Sequence, residues 1–505
     1  MEKQDGYRRK VMGGAVTTLV AQMFRVAATI GSVIVVSRIL SPADYGIYAM
    51  AAPVTGFAFL FQNVGFDHAV VQSDEVSDVQ LSSLFWLNIG LCLVLAIALV
   101  AAGPLVSLFY GNTQAGILVA ASGLLVIATA PNPLYNALLN RQMRFQAQNV
   151  ADIVSSATMF VFTVTAALIL RSYWALLVGA ITSTIVNTLS FLYLERWRPR
   201  LTFQWASIAP MVRFGGGISV YGFALFITRN IDKVLLARFW GATTLGFYDR
   251  AFRLMSAPLQ NFTAPLSRII LPVLARTREE PQRYRRAYLV FVQGVVTCAI
   301  PGVVAASIGS DAAVRVLLGD KWQAAGPIFS WLSAASVLLL INETVPWLMM
   351  SSNRSKLIMN WGLFASATVV IGFLIGLPWG AVGMAKACFF GELARTPILF
   401  WLAARGTAVR VRDLARLHIV TGLSVAAAAG VQGMLPTGMA PLPHVVVLAI
   451  AGYAAAIPAQ FLSEPGRHLI ATVTGWVGKV AGGGPPHPAA PRTQHATTKK
   501  KKKKK

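Results

Sequence analysis

Six ionisable side chains lie inside two neighbouring apolar runs, where a charge is energetically unfavourable unless it faces a protein interior or a ligand. They are Arg229, Asp232, Lys233, Asp249, Arg250 and Arg253. The first three are spaced i, i+3 and i+4, which places them on one face of a helix. Basic groups outnumber acids in this set, and the surplus indicates that the site binds an anion. The alternative is a salt-bridge latch that holds the two helices together.

Another charge, Arg25, lies near the middle of the first long apolar run, within VAQMFRVAATIGSV. A helix that begins near Met12 rises 1.5 Å per residue and so places this guanidinium roughly 20 Å into the membrane. A side chain at that depth cannot easily reach the interface and must face a polar cavity or a partner. Arg25 is therefore a candidate ligand for an anionic group. The alternative is a structural ion pair with an acid on another helix, such as Asp232 or Glu343.

Three acids are candidates for gating or ion coupling. Glu343 stands alone in its apolar run, which makes it a candidate site for a coupling ion, H⁺ or Na⁺. Asp232 and Asp249 are candidate gate residues, because Asp232 is expected to pair with Arg250 or Arg253 when the cavity is closed outward. A later group is self-compensating and is interpreted as structural; it consists of Lys386, Glu392 and Arg395.

The elements that must position these charges are membrane helices. Of the 505 residues, 55% are hydrophobic and only 12% are charged, about half the charge expected of a soluble domain. Apolar runs of about 20 residues, long enough to span the hydrocarbon core, recur along the chain. The sequence predicts an all-α polytopic membrane protein with about fourteen transmembrane helices. Their expected bounds are 13–37, 46–65, 84–108, 115–138, 150–170, 174–194, 214–238, 246–266, 288–308, 325–349, 357–376, 379–403, 415–435 and 443–463.

An internal repeat organises these spans. Arg238, Gly246 and Tyr248 repeat, 200 residues later, the Arg-x7-Gly-x-Tyr frame that begins at Arg38. Six spans separate the two copies, so both enter the membrane in the same direction, as parallel repeats related by an axis along the membrane normal do. We expect an N-lobe over residues 1–200 and a C-lobe over 201–404, each with six helices. Two appended helices over 405–464 and a disordered basic tail over 465–505 complete the chain.

The distribution of positive charge predicts orientation. With the N-terminus in the cytoplasm, arginines concentrate in alternate loops, most densely in 268–286, and few lie on the opposite side. This predicts that both termini are cytoplasmic in a multi-pass protein. The formal net charge of +25 is explained by these loops and by the terminal run Lys499–Lys505, so it does not indicate a nucleic-acid partner.

Motifs of enzymes and metal sites are missing from the sequence. No Gly-x4-Gly-Lys-Ser/Thr phosphate loop and no Gly-x-Ser-x-Gly elbow occurs, and the six histidines are scattered without metal-ligand spacing. No expected non-cytoplasmic loop is long enough to hold a catalytic domain. We therefore expect neither catalytic residues, nor a metal, nor a cofactor other than a coupling ion.

Several blocks carry a resemblance to a known family. They are GAVTTLVAQMFRVAATIGSVIVVSRILSPADYGIYAM, NRQMRF, RFGGGISVYGF, RNIDKVLLARFWGATTLGFYDRAFRLMSAPLQ and RIILPVLAR. Together they resemble Wzx-type polysaccharide flippases, a branch of the multidrug/oligosaccharidyl-lipid/polysaccharide exporter superfamily. The resemblance runs from about residue 12 to 301, and more loosely to about 462.

The resemblance implies a function. Such proteins flip oligosaccharide repeat units linked to undecaprenyl pyrophosphate across the bacterial inner membrane, for exopolysaccharide or lipopolysaccharide synthesis, by alternating access. Arg25, Arg229, Lys233, Arg250 and Arg253 would then contact the pyrophosphate or acidic sugars, and partners would be the lipid-linked oligosaccharide, membrane lipids and a polymerase or export machinery. One alternative is a multidrug or toxin exporter of the same superfamily, whose cavity would be expected to be acidic. Another is a scaffold for a polysaccharide synthase.

Overall fold

The computed structural model describes residues 24–25, 27–62, 70, 76–436 and 438–481, with backbone alone at 213–225, 257–265, 268, 355, 472–473 and 475–481. The first half of the described chain forms α1 Ala27–Ile39, α2 Pro42–Gln62, α3 Asp78–Tyr110, α4 Thr113–Ala121, α5 Gly123–Thr129, α6 Asn132–Arg141, α7 Phe145–Leu170, α8 Trp174–Leu194 and α9 Trp205–Arg276. The second half forms α10 Pro281–Ile308, α11 Ser310–Leu317, α12 Gly326–Asn342, α13 Val345–Ser351, α14 Ser355–Gly376, α15 Gly380–Ala404, α16 Val411–Gln432, α17 Pro441–Ala459 and α18 Glu464–Ala481. Short 3₁₀ turns lie at Asp320–Ala325, Leu377–Trp379 and Gln460–Leu462, and these described ranges hold no strand.

The helical stretches of the described chain can be matched one to one with the fourteen predicted spans. Nine stretches of the described chain are long and apolar enough to cross a membrane. One of them, Lys356–Ala404, is divided by the turn at Leu377–Trp379, and α1, α2 and the two arms of α9 supply the other four predicted spans. The described residues thus contain helix at each of the fourteen predicted positions, which confirms the expected polytopic all-α class.

Helix α9 is folded back on itself at one glycine. Gly241 has φ 77° and ψ −179°, a conformation that L-residues rarely adopt and glycine adopts readily. In a straight helix Asp232 and Tyr248 would be about 24 Å apart, yet the Tyr248 hydroxyl donates to Asp232 Oδ2 at 3.1 Å. The arms 205–240 and 242–276 are therefore packed side by side, which agrees with the predicted division of this stretch into the seventh and eighth spans.

The 200-residue repeat is visible in the packing of α2 on α9. A Cβ added at Gly46 would overlap the carbonyl oxygen of Ala242, and one added at Gly246 would overlap that of Pro42. Ala242 and Gly246 lie 200 positions after Pro42 and Gly46, so the two contacts are equivalent, with the two copies of the repeat exchanged. Such reciprocal contacts are the signature of a local two-fold relation. The parallel repeat inferred from sequence is thus present at this crossing, while the lobe boundaries stay a prediction.

The two copies of the repeat also meet around Trp322, which is fully buried. Its indole nitrogen donates to the carbonyl of Ser37 at 2.8 Å, and its ring packs edge-on against Tyr45 and Phe247. Beside it, Arg38 Nη2 donates to a backbone carbonyl of α11 at 3.1 Å. Segments that the charge distribution assigned to the periplasmic side therefore converge, and this end of the molecule is closed.

One prediction about the C-terminal region is wrong. Residues 465–481, expected to be disordered, belong to α18, while residues 482–505 lie outside the described part. The helix packs against α10, and Arg286 of α10 hydrogen-bonds the ring of His468 at 2.9 Å. The prediction of disorder rests on the glycine, proline and lysine content of the last residues. That composition does not describe residues 465–481, which form an amphipathic stretch.

Candidate anion-binding site

Three of the predicted arginines line one cavity. Arg25, Arg250 and Arg253 border a space of about 470 Å³ between the N-terminal helices, α7 and the second arm of α9. The remainder of its wall is largely apolar, with hydroxyls from Tyr45, Tyr48 and a few serines and threonines. This is the size of a small-molecule site, which is typically 300–1,000 Å³. Each half of the repeat contributes basic groups to it.

Asp249 positions two of these arginines. Its Oδ2 accepts from Arg250 Nη2 at 3.0 Å and from Arg253 Nε at 2.8 Å. The Arg253 pair has the i, i+4 spacing that brings side chains together on a helix. The Arg253 side chain remains 45% exposed, and its two terminal nitrogens make no hydrogen bond to the residues the structure describes. They are therefore available to an anion without breaking the ion pair.

Arg250 joins α9 to the other half of the repeat. Its guanidinium carbon lies 4.0 Å from the centre of the Tyr45 ring of α2, a cation–π distance. The side chain is 7% exposed, so Asp249 and the Tyr45 ring together supply the environment that a buried cation requires. Arg250 thus contributes to the wall of the cavity and to the contact between the two copies.

The partner of Arg25 is an acid that the sequence interpretation did not consider. Arg25 Nη1 donates to Asp152 Oδ2 of α7 at 3.0 Å, and both side chains are about one-third exposed. The alternative of an ion pair with an acid on another helix is therefore observed, but with Asp152 in place of Asp232 or Glu343. Asp152 is the one acid inside the fifth predicted span, and its position in a membrane helix was a signal that could have identified it.

The expected pairing of Asp232 is also not observed. Asp232 is buried and accepts from Tyr248, while Arg250 and Arg253 pair with Asp249. Lys233 lies 5.7 Å from the centre of the Phe252 ring. The two arms of α9 are thus joined here by a tyrosine hydrogen bond and a cation–π contact, and the ion pairs of Asp249 lie within the second arm. The salt-bridge latch between the two helices is not observed among the described residues.

Other predicted residues lie outside this cavity. Neither Arg229 nor Glu343 lines it, although the two interact electrostatically with each other; both are exposed. In α15, Arg395 forms an ion pair with Glu392, and Asn342 donates to the same carboxylate at 3.1 Å. These contacts fit the structural interpretation of that group. Within the described ranges, no cluster of three or more His, Cys, Asp or Glu side chains could hold a metal.

The arrangement is suited to binding a multiply charged anion. Three arginines and two carboxylates leave a positive surplus in the connected set. Guanidinium groups form charge-assisted, forked hydrogen bonds with phosphate oxygens, and these bonds compensate a phosphate for the loss of water. The apolar part of the wall could accommodate a lipid-like portion of the same ligand.

Comparisons with known proteins yield one family and one fold. A family model described as polysaccharide biosynthesis protein matches residues 35–327. Lipopolysaccharide biosynthesis protein WzxC of Escherichia coli K12 is 23% identical over 402 residues, which cover 78% of this chain and 81% of that protein. Succinoglycan biosynthesis transport protein ExoT of Rhizobium meliloti is 27% identical over 318 residues, 62% and 64% of the two chains. The solved structure of lipid II flippase MurJ, in an inward closed conformation, has TM-score 0.65 and 14% identity over 88% of this chain and 97% of that one.

Proposed function

The chain belongs to the polysaccharide biosynthesis protein family, whose model matches more than half of it, and we propose that it moves lipid-linked oligosaccharides across a membrane. Its relatives are named for polysaccharide synthesis and, in one case, transport. They confirm the resemblance to Wzx-type flippases of the exporter superfamily. The substrate class we propose is an oligosaccharide repeat unit on undecaprenyl pyrophosphate, delivered to exopolysaccharide or lipopolysaccharide synthesis.

The observation that carries this proposal is the convergence of Arg25, Arg250 and Arg253 on one membrane cavity. A pyrophosphate that leaves water needs hydrogen bonds from cations, and these arginines are the groups that form them most strongly. A multidrug exporter for cations would instead require acids on the wall, whereas here both nearby carboxylates are engaged by arginines. The cavity therefore favours an anionic substrate.

Further parts of the proposal concern coupling, orientation and partners. We propose that the protein acts by alternating access without covalent chemistry, in the bacterial inner membrane, with both termini cytoplasmic. Glu343 is the candidate site for coupling to H⁺ or Na⁺, since it is exposed near Arg229 and forms no ion pair within the part of the chain that the structure describes. A polysaccharide polymerase or export machinery is the proposed downstream partner.

A flipping assay with single arginine variants tests this function. The purified protein in vesicles should translocate an undecaprenyl-pyrophosphate-linked oligosaccharide, and Arg25→Ala should reduce the rate by about tenfold to a hundredfold, the loss expected for hydrogen bonds to a charged group. Arg25→Lys should rescue only partly, because an ammonium replaces a planar fork. Arg196→Ala, which removes an exposed loop arginine, is the matched control.

Asp152→Asn separates ligand binding from a structural ion pair. If Arg25 serves only to pair with Asp152, both substitutions should impair transport equally. If Arg25 binds the substrate, Asp152→Asn should retain most activity, since the guanidinium remains. Wild-type transport by Arg25→Ala, or no oligosaccharide translocation by the wild-type protein, would refute the proposed assignment.

A further inference from the structure

A second cavity lies in the N-terminal part of the fold, between α2, α6, α7 and α8. Its volume is about 520 Å³, and its lining is dominated by side-chain amides rather than by charges. Of the twelve described residues that line it, seven are asparagine or glutamine and none is lysine or arginine. Amides offer both donors and acceptors, so their natural ligands are groups that do the same, such as hydroxyls.

Three of these amides form a row on α6. Asn132, Asn136 and Asn140 are spaced i, i+4 and i+8 and so share one face of the helix. Gln148 Nε2, from α7, donates to Oδ1 of Asn136 at 2.6 Å and of Asn140 at 2.9 Å. Their carbonyl oxygens are therefore occupied, while their Nδ2 groups make no hydrogen bond to the residues that the structure describes. The row presents amide donors to the cavity.

Gln62, at the end of α2, provides the second observation. Its side chain is 2% exposed, and its Oε1 accepts from Thr129 at 3.0 Å. Its Nε2 is buried at the cavity and has no hydrogen-bond partner in the described part of the chain. A buried donor without a partner is unfavourable, and native proteins rarely retain one unless a ligand or water completes it.

The amide cavity adjoins the arginine cavity through one ion pair. Asp152 lines the amide cavity, Arg25 lines the arginine cavity, and the two side chains are hydrogen-bonded at 3.0 Å. A ligand bound in both would have an anionic part directly followed by a hydroxyl-rich part. In a pyrophosphate-linked oligosaccharide, the first sugar is attached directly to the pyrophosphate.

We propose that the amide-lined cavity binds the first, uncharged sugar of the lipid-linked oligosaccharide, while the arginine cavity holds the pyrophosphate. This inference rests on the proposed function and specifies its substrate. An anionic sugar is disfavoured there, because the lining residues that the structure describes include a carboxylate and no basic group. Phe59 and Phe191 provide apolar surface against which the face of a sugar ring can pack.

Binding to two carriers tests the proposal with purified, full-length protein in nanodiscs. The probes are undecaprenyl pyrophosphate and undecaprenyl pyrophosphate carrying one glucose. We expect the wild-type protein to bind the glucosylated carrier about tenfold more tightly, as two or more added neutral hydrogen bonds would give. Gln62→Met and Asn136→Leu should each reduce affinity for the glucosylated carrier about threefold or more and leave affinity for the bare carrier unchanged.

A control and an alternative probe make the outcome decisive. Asn88→Leu removes another buried amide of the same region, one that bonds the carbonyl of Ala130 and does not line the cavity, so it should preserve the preference for glucose. A carrier with glucuronic acid should bind less tightly than the glucose carrier. Gln62→Met removes the hydrogen bond that Oε1 accepts from Thr129, but the Thr129 hydroxyl keeps the carbonyl of Val126 as an acceptor at 2.8 Å. The thermal unfolding midpoint of Gln62→Met should therefore stay close to wild type.

The failures of the two proposals are distinguishable. If the wild-type protein binds both carriers equally, or if the amide variants keep the full preference for glucose, the sugar site is refuted while pyrophosphate binding stands. If the wild-type protein binds neither pyrophosphate carrier, the proposed function fails, and the sugar site with it.

Discussion

Substituting Gly246 by alanine should open the closed end of the molecule. At the crossing of α2 and α9, the new Cβ would stand 2.8 Å from the carbonyl carbon of Pro42, and closer still to its oxygen. Ordinary contact for a Cβ begins at 3.4 Å, so the two helices must separate by more than half an ångström. Because the opposing atoms belong to the backbone, no change of rotamer can relieve the overlap.

The size of the effect follows from the cost of overpacking. An extra methyl group in a packed contact costs about 1–3 kcal/mol. That cost falls on the conformation in which the two glycines cross and is absent once the helices part. The equilibrium should therefore shift toward the parted conformation by about fivefold to 150-fold. Gly46→Ala should have a similar effect, since its Cβ would overlap Ala242 in the reciprocal contact.

Labelling of a cavity cysteine measures this shift. In a background without the three native cysteines, Ser156→Cys places a thiol on the wall of the arginine cavity. A membrane-impermeant maleimide added outside intact cells should react faster when Gly246→Ala is also present. Gly90→Ala is the matched control, because a Cβ there meets nothing within 4 Å. Equal labelling rates in Gly246→Ala and Gly90→Ala, with both proteins folded, would refute the reasoning.

Two further predictions address stability and topology. Asp249→Asn leaves the buried Arg250 without its counter-charge and should destabilise the protein by about 3–5 kcal/mol. The loss should be measured as a lower melting temperature in detergent, and an unchanged melting temperature would contradict the role of this pair. Cysteines placed in 376–380 and 436–443 should be labelled from the periplasm and cysteines in 278–286 from the cytoplasm, as the charge distribution predicts, and labelling from the opposite side would overturn the orientation.

The features that the sequence predicts well are those fixed by the membrane itself. The length of each apolar run predicts a span, and a charge within a span must face a polar interior. Arg25, Arg250 and Arg253 could therefore be expected to face such an interior, but the sequence did not distinguish them from Arg229 and Lys233, which do not line the cavity. The break at Gly241 follows from local backbone chemistry, and the repeat follows from residue identity at a fixed offset. Each of these features depends on the residues of a single segment, or on a comparison between the sequences of two segments.

Pairings between distant helices could not be predicted in the same way. Arg25 and Asp152 are 127 residues apart, and the sequence of neither segment indicates that the two helices will pack together. The amide row on α6 was overlooked because asparagine carries no charge and was absorbed into an apolar span. By contrast, the i, i+4 spacing of Asp249 and Arg253 indicates their ion pair from the sequence alone. The sequence also allowed a longer-range pair between Arg253 and Asp232, which the fold does not form.

The counter-ions explain how such a cavity can function between substrates. A transporter must hold its arginines in the membrane while no anion is present, and an unpaired buried cation would be strongly destabilising. Asp249 and Asp152 supply that compensation. Asp249 accepts from Arg253 only through Nε, and the two terminal nitrogens of Arg253 make no hydrogen bond within the described part of the chain. A pyrophosphate can therefore bind by adding hydrogen bonds rather than by replacing ion pairs, and it can leave without exposing bare charge. Since binding must be strong enough to capture a substrate and weak enough to release it, this partial neutralisation suits transport better than a fully unpaired cluster of arginines would.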